Sequence, residues 1–256
     1  MNLVCNIGQC FGGNANPFYK GIGLKGHTGW DENCGWGTDI ASYVNGKVYS
    51  LYTPDKPASD GFTAIYTLVE TPLETFEFCV GHVSQINVKI GDNITKGQII
   101  GKEGNHGVVY SGGQLITLAM QAAGDHRGNH RHNQKRCLVK SKTAVPGKTY
   151  LSTVNGLYFD GNYYEIVNYN NGYNGCVDFM APLFNRDLYV GTSGYDVLLL
   201  QRALVLEGFA TFEPQGDFGP KTFSAVKAFQ KAHNLPATGY LGRLTRGILN
   251  TKYTQL

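Results

Sequence analysis

The sequence predicts a mostly β N-terminal region followed by a small all-α domain of three short helices. Two observations support this. Glycine (34 residues) and tyrosine (16) are plentiful while charged residues make up only 16%, a mix that fits short strands joined by tight turns better than long surface helices. Near residue 184 the apolar pattern changes from short β-type runs to a 3.6-residue period. The chain has 256 residues, 42% of them hydrophobic, enough for one large domain or two smaller ones with real cores.

Taken in order, His27 and Asp31 are spaced i, i+4, but Gly29 and the following Asn33-Cys34-Gly35 predict a loop there rather than a helix. Val44–Tyr52, Thr63–Val69 and Phe76–Val83 are rich in β-branched and aromatic residues and read as strands. The last of these puts His82 near a strand end. Val88–Gly101 alternates apolar pairs with Gly-Asp-Asn and Lys-Gly turns, which predicts a tight hairpin or a barrel-like corner. His130 and His132 are spaced i, i+2 and would share one face of a strand. Asp160-Gly161 between aromatic runs signals a hairpin. It lies in a stretch, 146–183, that reads as a structured linker or an add-on to the first domain. Val197–Leu206 carries an apolar helical face and stops at Gly208; Thr222–His233 is a second helix with Pro220 just ahead of it, and Leu244–Leu249 begins a third.

A net charge of +3 without any dense Lys/Arg run excludes a nucleic-acid binder, though mild basicity suits an anionic polymer such as a bacterial wall. No apolar run approaches the roughly 20 residues of a membrane helix. The N-terminal Met-Asn-Leu-Val-Cys-Asn lacks a basic stretch and apolar core, so the expectation is synthesis in the cytoplasm without a signal peptide. The six cysteines show no CxxC spacing. They read as free, mostly buried thiols, with Cys34 a minor alternative ligand because it lies close to Asp31.

The chemistry concentrates in four histidines and one aspartate: His27-Thr-Gly-Trp-Asp31, Gly81-His82 and His130-Arg-His132. Imidazole and carboxylate suit Zn²⁺, and three protein ligands leave its fourth position open for water, as hydrolysis requires. Two further histidines are then free to move protons. His126 is a rival for either role of the closing pair. His106 and His233 read as ordinary turn and helix-end residues.

His27-x-Gly-x-Asp31 with Gly37-Thr and Gly46-Lys-Val resembles the opening motif of the M23 (LytM- and lysostaphin-like) zinc metallopeptidases. Gly81-His82, Val88-x-x-Gly91-Asp, Gly97-Gln-Ile-Ile-Gly101 and Gly104-Asn105-x-Gly107 resemble its middle, and His130-Arg-His132 its closing HxH. The resemblance implies an antiparallel, open barrel-like β domain over residues 1–145. It implies Zn²⁺ held by His27, Asp31 and His132, with His82 and His130 as catalytic histidines. The chain departs from the family in placing 22 residues, 108–129, between Gly107 and His130. An inserted loop or extra strand beside the cleft is expected there. Phe18-Tyr19, Trp30, Trp36 and Tyr110 are candidate aromatics around that cleft.

Over residues 184–256, Gly194-Tyr-Asp196-Val197-x-x-Leu200-Gln201, Gly216-Asp-Phe218-Gly219 and Thr222-x-x-Ala225-Val226-x-x-Phe229-Gln230 resemble the peptidoglycan-binding domain 1 family. Together the two resemblances imply a monomeric, phage-type zinc endopeptidase. It would cut peptide bonds of peptidoglycan, bind no nucleic acid, and enter no membrane. The alternative is a catalytically silent wall-binding or hydrolase-activating protein on the same fold, against which all five M23 positions are filled.

Overall fold

The computed structural model describes residues 5–13, 17–21, 24–141, 150–153, 156–168 and 173–253. Two compact units divide the chain, Met1–Glu70 with Thr75–Asp178 and Thr71–Glu74 with Phe179–Leu256. The first unit is mostly antiparallel β-sheet; the second contains three helices. Among the described residues no helix is long and apolar enough to cross a membrane.

The main sheet is organised by one long strand, Arg131–Lys140. Along one edge it pairs antiparallel with Thr75–Gly81. Ala64–Glu70, Gly46–Tyr52 and Asn93–Ile94 follow in that direction. Its other edge takes three short partners in turn: Trp30–Asn33, Cys176–Val177 and Asn162–Ile166. Ala64–Glu70 and Thr75–Gly81 are buried at nearly every position. Burial at consecutive positions shows that both faces are covered. Asp39–Ala41, Ile99–Glu103 and Val83–Ile86 form a second, three-stranded sheet.

Val88–Gly101 makes the barrel-like corner and not the hairpin. Asn93–Ile94 joins the main sheet, whereas Ile99–Glu103 belongs to the small one. Asp160-Gly161 turns a hairpin between Gly156–Phe159 and Asn162–Ile166, both central residues having positive φ (49° and 75°). Part of the 146–183 stretch therefore extends the main sheet. The 108–129 segment folds as a hairpin, Val109–Ser111 with Gln114–Ile116, and a short helix, Leu118–Ala122, whose first turn is capped by the Thr117 hydroxyl.

The cysteine expectation is corrected at one pair. Cys5 and Cys34 form a disulfide, so Cys34 is not available as a ligand. Nothing in the spacing of Cys5 and Cys34 reveals this contact. Strand Asn6–Ile7 lies beside Trp30–Asn33, and that pairing brings together residues 29 apart. Cys79, Cys137 and Cys176 are buried, while Cys10 is exposed.

In the second unit the helices are Tyr195–Leu206, Pro220–Ala232 and Arg243–Lys252. The second has Pro at its first position, where a missing N–H costs nothing. Val197, Leu200, Ala203, Val226, Phe229 and Leu249 are fully buried in their common core, each larger side chain contributing on the order of 1.5–3 kcal/mol. Two buried glutamines act as equivalent braces. Gln201 accepts from the Gln215 and Gly216 amides and donates to the Asp217 carbonyl and Thr222 hydroxyl. Gln230 accepts from the Gly239 amide and donates to the Tyr240 carbonyl and the Thr238 and Thr245 hydroxyls. Each glutamine thereby ties its own helix to the following loop and the next helix start.

Closing a loop of this length predicts that Cys34→Ser lowers unfolding stability by about 3 kcal/mol. Denaturant titration checks this: wild type in reductant should shift to the variant's midpoint, and the variant itself should not respond to reductant.

Candidate metal centre

Strand register places the metal-site residues. In the long strand, His132 stands opposite Asp31 on one side and opposite Gly81 on the other. Directly opposed residues in an antiparallel ladder have their Cβ atoms about 5 Å apart, so His132 and Asp31 must meet. Asp31 lies in strand Trp30–Asn33 and His27 in the loop before it. The expected loop thus ends at Gly29. That glycine is required by close approach: a Cβ there would sit 2.2 Å from the Asn133 carbonyl oxygen and 2.8 Å from the His132 ring.

His27 Nε2, Asp31 Oδ1 and His132 Nδ1 form a nearly equilateral triangle. The separations are 3.1 Å (His27 to Asp31), 2.9 Å (His132 to Asp31) and 3.0 Å (His27 to His132). All three residues are buried. A tetrahedral zinc site, with ligands roughly 2.0–2.1 Å from the ion, spaces them about 3.3 Å apart.

Proton bookkeeping tests the fit. His27 Nδ1 lies 3.3 Å from the Cys10 carbonyl, which can only accept. His132 Nε2 lies 3.3 Å from Gln134 Oε1, which also accepts from the Thr28 hydroxyl. Each ring therefore carries its proton on the outer nitrogen and directs a lone pair inward. Two lone pairs and a carboxylate oxygen in mutual contact repel one another unless a cation sits among them. The donor set fits a divalent ion of zinc type, and the outer acceptors are what orient such ligands. Burial alone would raise the Asp31 carboxyl. The histidines packed around it, His132 foremost, outweigh burial and hold the group far below the usual carboxylate range.

The other two histidines stand beside the triangle. His82 follows strand Thr75–Gly81 in a left-handed conformation, φ 58°. Its Nδ1 is 2.8 Å from the His106 carbonyl. His130 is bridged to Gly104, with Nδ1 2.8 Å from the Gly128 carbonyl and Nε2 3.7 Å from Asp31. The two ring centroids are 4.4 Å apart. Burial first, and then the crowding of the His130 and His132 rings, push His82 well below the ordinary histidine range, so it is neutral near pH 7.

All five residues line one cleft of about 650 Å³. Tyr19 and Tyr110 line it too; Trp30 and Trp36 do not, and the Phe18 side chain lies outside the described residues. Burial, and then the Asp31 charge, push the Tyr19 phenol up to about 12. His126 is corrected: it is exposed, stacks on Trp36 at 3.7 Å, and takes no part in the triangle. A cavity of about 620 Å³ in the helical unit has no His, Cys, Asp or Glu in its lining and offers no rival metal site.

Several supporting residues escaped the sequence reading. Fully buried Glu103 accepts from the Cys34 and Gly35 amides and from Asn129, joining the segment after Asp31 to the segment before His130. Glu32 receives Arg131, Asn133 and the Tyr43 hydroxyl. Arg131 and Asn133, which flank the second histidine, are thus satisfied by one carboxylate.

Residues 25–128 match Peptidase family M23, and residues 193–249 match the PG_binding_1 family of peptidoglycan-binding domains. The chain carries an M23 peptidase domain followed by a peptidoglycan-binding domain. Over 71 residues it is 39% identical to the spore cortex-lytic enzyme of Bacillus cereus, covering 27% of each protein. It thus spans about a quarter of the length of the curated relatives it matches. Among solved structures it is similar to LytU (26% identity, 52% of this chain and 74% of the other, TM-score 0.37). It is similar as well to lysostaphin from Staphylococcus simulans (19%, 61% and 63%, TM-score 0.39) and to the SleB N-terminal domain (36%, 27% and 94%, TM-score 0.26).

If the triangle holds the ion, elemental analysis of dialysed protein should find one zinc per chain, and none in His132→Ala. Gln134→Ala keeps all three ligands but leaves the outer nitrogen of His132 with only the Thr28 hydroxyl, at 3.4 Å. Competition with a chelator should show zinc affinity about 10- to 100-fold weaker in that variant.

Proposed function

We propose that this chain is a zinc-dependent endopeptidase that hydrolyses peptide bonds of bacterial peptidoglycan and is held on that polymer by its C-terminal domain. The convergence of His27 Nε2, Asp31 Oδ1 and His132 Nδ1, within 3.1 Å of one another beside two further histidines, carries the reading. An M23 domain and a peptidoglycan-binding domain in one chain support a peptidoglycan hydrolase. Tethering of this kind raises the local concentration of scissile bonds without any new catalytic contact.

His27, Asp31 and His132 would hold the ion, whose contribution when bound is Lewis acidity toward a carbonyl and toward water. The single carboxylate leaves the occupied site net positive. His82 is the general base in this scheme. Its Nδ1 proton is engaged by the His106 carbonyl, so Nε2 is free to take a proton from the attacking water. Its neutrality near pH 7 is a condition for that role. His130 has Nδ1 likewise engaged by Gly128. When it carries a second proton on Nε2 it can donate to the developing oxyanion and then give that proton to the leaving amine. The proton taken up by His82 restores the balance over the turnover. Two imidazoles this close disfavour double protonation, which favours one holding a proton while the other accepts. Tyr19, Tyr110 and the glycine-containing rim (Gly8, Gly112, Gly128) line the groove that would take an extended peptide.

Mass spectrometry of material released from purified cell walls tests this reading. The expected products are peptides with new amino termini, abolished by chelator and restored by added zinc. Identical fragments with and without chelator would remove the metallopeptidase assignment. His82→Ala should retain its zinc and its binding to walls while kcat falls about 10²- to 10⁴-fold.

A further inference from the structure

We propose that Gln121, in the segment inserted before His130, is a positioning residue for His82. It would act through the one peptide group that joins His106 to Gly107. This inference rests on the catalytic reading of His82 above.

The His106 carbonyl and the Gly107 N–H are opposite ends of one rigid plane. The carbonyl end accepts from His82 Nδ1 at 2.8 Å. The N–H end donates to Gln121 Oε1 at 3.3 Å. Gln121 Nε2 grips the same residue from the other side, donating to the Gly107 carbonyl at 2.7 Å and to the Ile116 carbonyl at 3.1 Å. The side-chain amide thus clamps Gly107 at both its polar groups. A chain of hydrogen bonds polarised in one direction runs from Gln121 Oε1 through the peptide to the imidazole.

The clamp has something to hold. His82 occupies a left-handed backbone conformation that non-glycine residues adopt rarely. Its orientation therefore depends on its surroundings. Gly107 also has positive φ, 110°, and a Cβ there would lie 3.0 Å from Phe62 Cα. The turn is pressed against the residue whose ring stands edge-on to His82 at 4.9 Å. At the start of the turn, fully buried Asn105 donates to the Asp125 and Arg127 carbonyls at 2.8 and 3.0 Å. The inserted segment grips the turn at both ends. With the peptide plane so fixed, His82 keeps its proton on Nδ1 and its lone pair on Nε2, the arrangement a general base needs.

The test uses zinc-loaded full-length protein. Imidazole ¹⁵N shifts report the His82 tautomer, alongside steady-state kinetics on purified walls. Wild type should show the Nδ1–H form. Gln121→Met, which keeps length and apolar packing, and Gln121→Ala should each show a tautomer mixture at His82. In both, kcat should fall about tenfold with KM within about twofold and zinc content unchanged, as expected for an outer partner of a functional histidine. Folded variants that keep the wild-type tautomer and kcat would overturn the proposal. So would a wild-type protein with His82 as Nε2–H, or with a Gly107 amide that exchanges hydrogen as fast as an open loop; neither of these needs a variant to fold. Wild type inactive on walls but with the expected tautomer shift in the variants would refute the catalytic reading while leaving the positioning role intact.

Discussion

The register of strand Arg131–Lys140 is the constraint on which the rest of the site depends. It sets His132 across from Asp31 on one edge and across from Gly81 on the other. Shifting that strand by one residue would send His132 to the opposite face. The ion-binding triangle and the approach to His82 would be lost together. The register is itself held from below. Arg131 and Asn133, on the face opposite His132, both bind the Glu32 carboxylate, and the adjoining strand Thr75–Gly81 is almost wholly buried. A polar clamp and an apolar core therefore agree on one alignment.

A second regularity lies in how the four histidines are oriented. His27, His82 and His130 each present Nδ1 to a backbone carbonyl, from Cys10, His106 and Gly128 respectively. His132 presents Nε2 to Gln134. In every ring one nitrogen is committed outward, so the tautomer is decided by the scaffold before any substrate arrives. Because three of the four acceptors are main-chain carbonyls, any residue type could supply them. They are fixed by where loops run, and the inserted 108–129 segment is part of what fixes them.

The two units are built on different physical terms. The β unit relies on long-range strand pairing and a disulfide between residues distant in sequence. The helical unit relies on local apolar periodicity and on Gln201 and Gln230, each of which closes its own helix–loop–helix step. Such short-range rules are the ones a linear sequence displays most openly. The helices indeed begin within a residue or two of where their pattern placed them. The β elements were legible one by one, but their partners were not. Val88–Gly101 allowed both a hairpin and a corner, and only the separate partners of Asn93–Ile94 and Ile99–Glu103 select the corner.

Residue identity and spacing alone pointed to the general architecture, the peptidase and wall-binding resemblances, and the four histidines and one aspartate that gather in the cleft. Those features are legible because His-x-x-x-Asp, His-x-His and a 3.6-residue apolar period are statements about neighbours along the chain. Tertiary structure decided what neighbours cannot express. It joined Cys5 to Cys34 when the sequence pointed to free thiols. It carried His126 away to stack on Trp36. It brought Gln121 to the peptide that holds His82. Each of these outcomes depends on contacts between distant segments. Such contacts follow from strand pairing and from where loops can close, and no local pattern of residues encodes them.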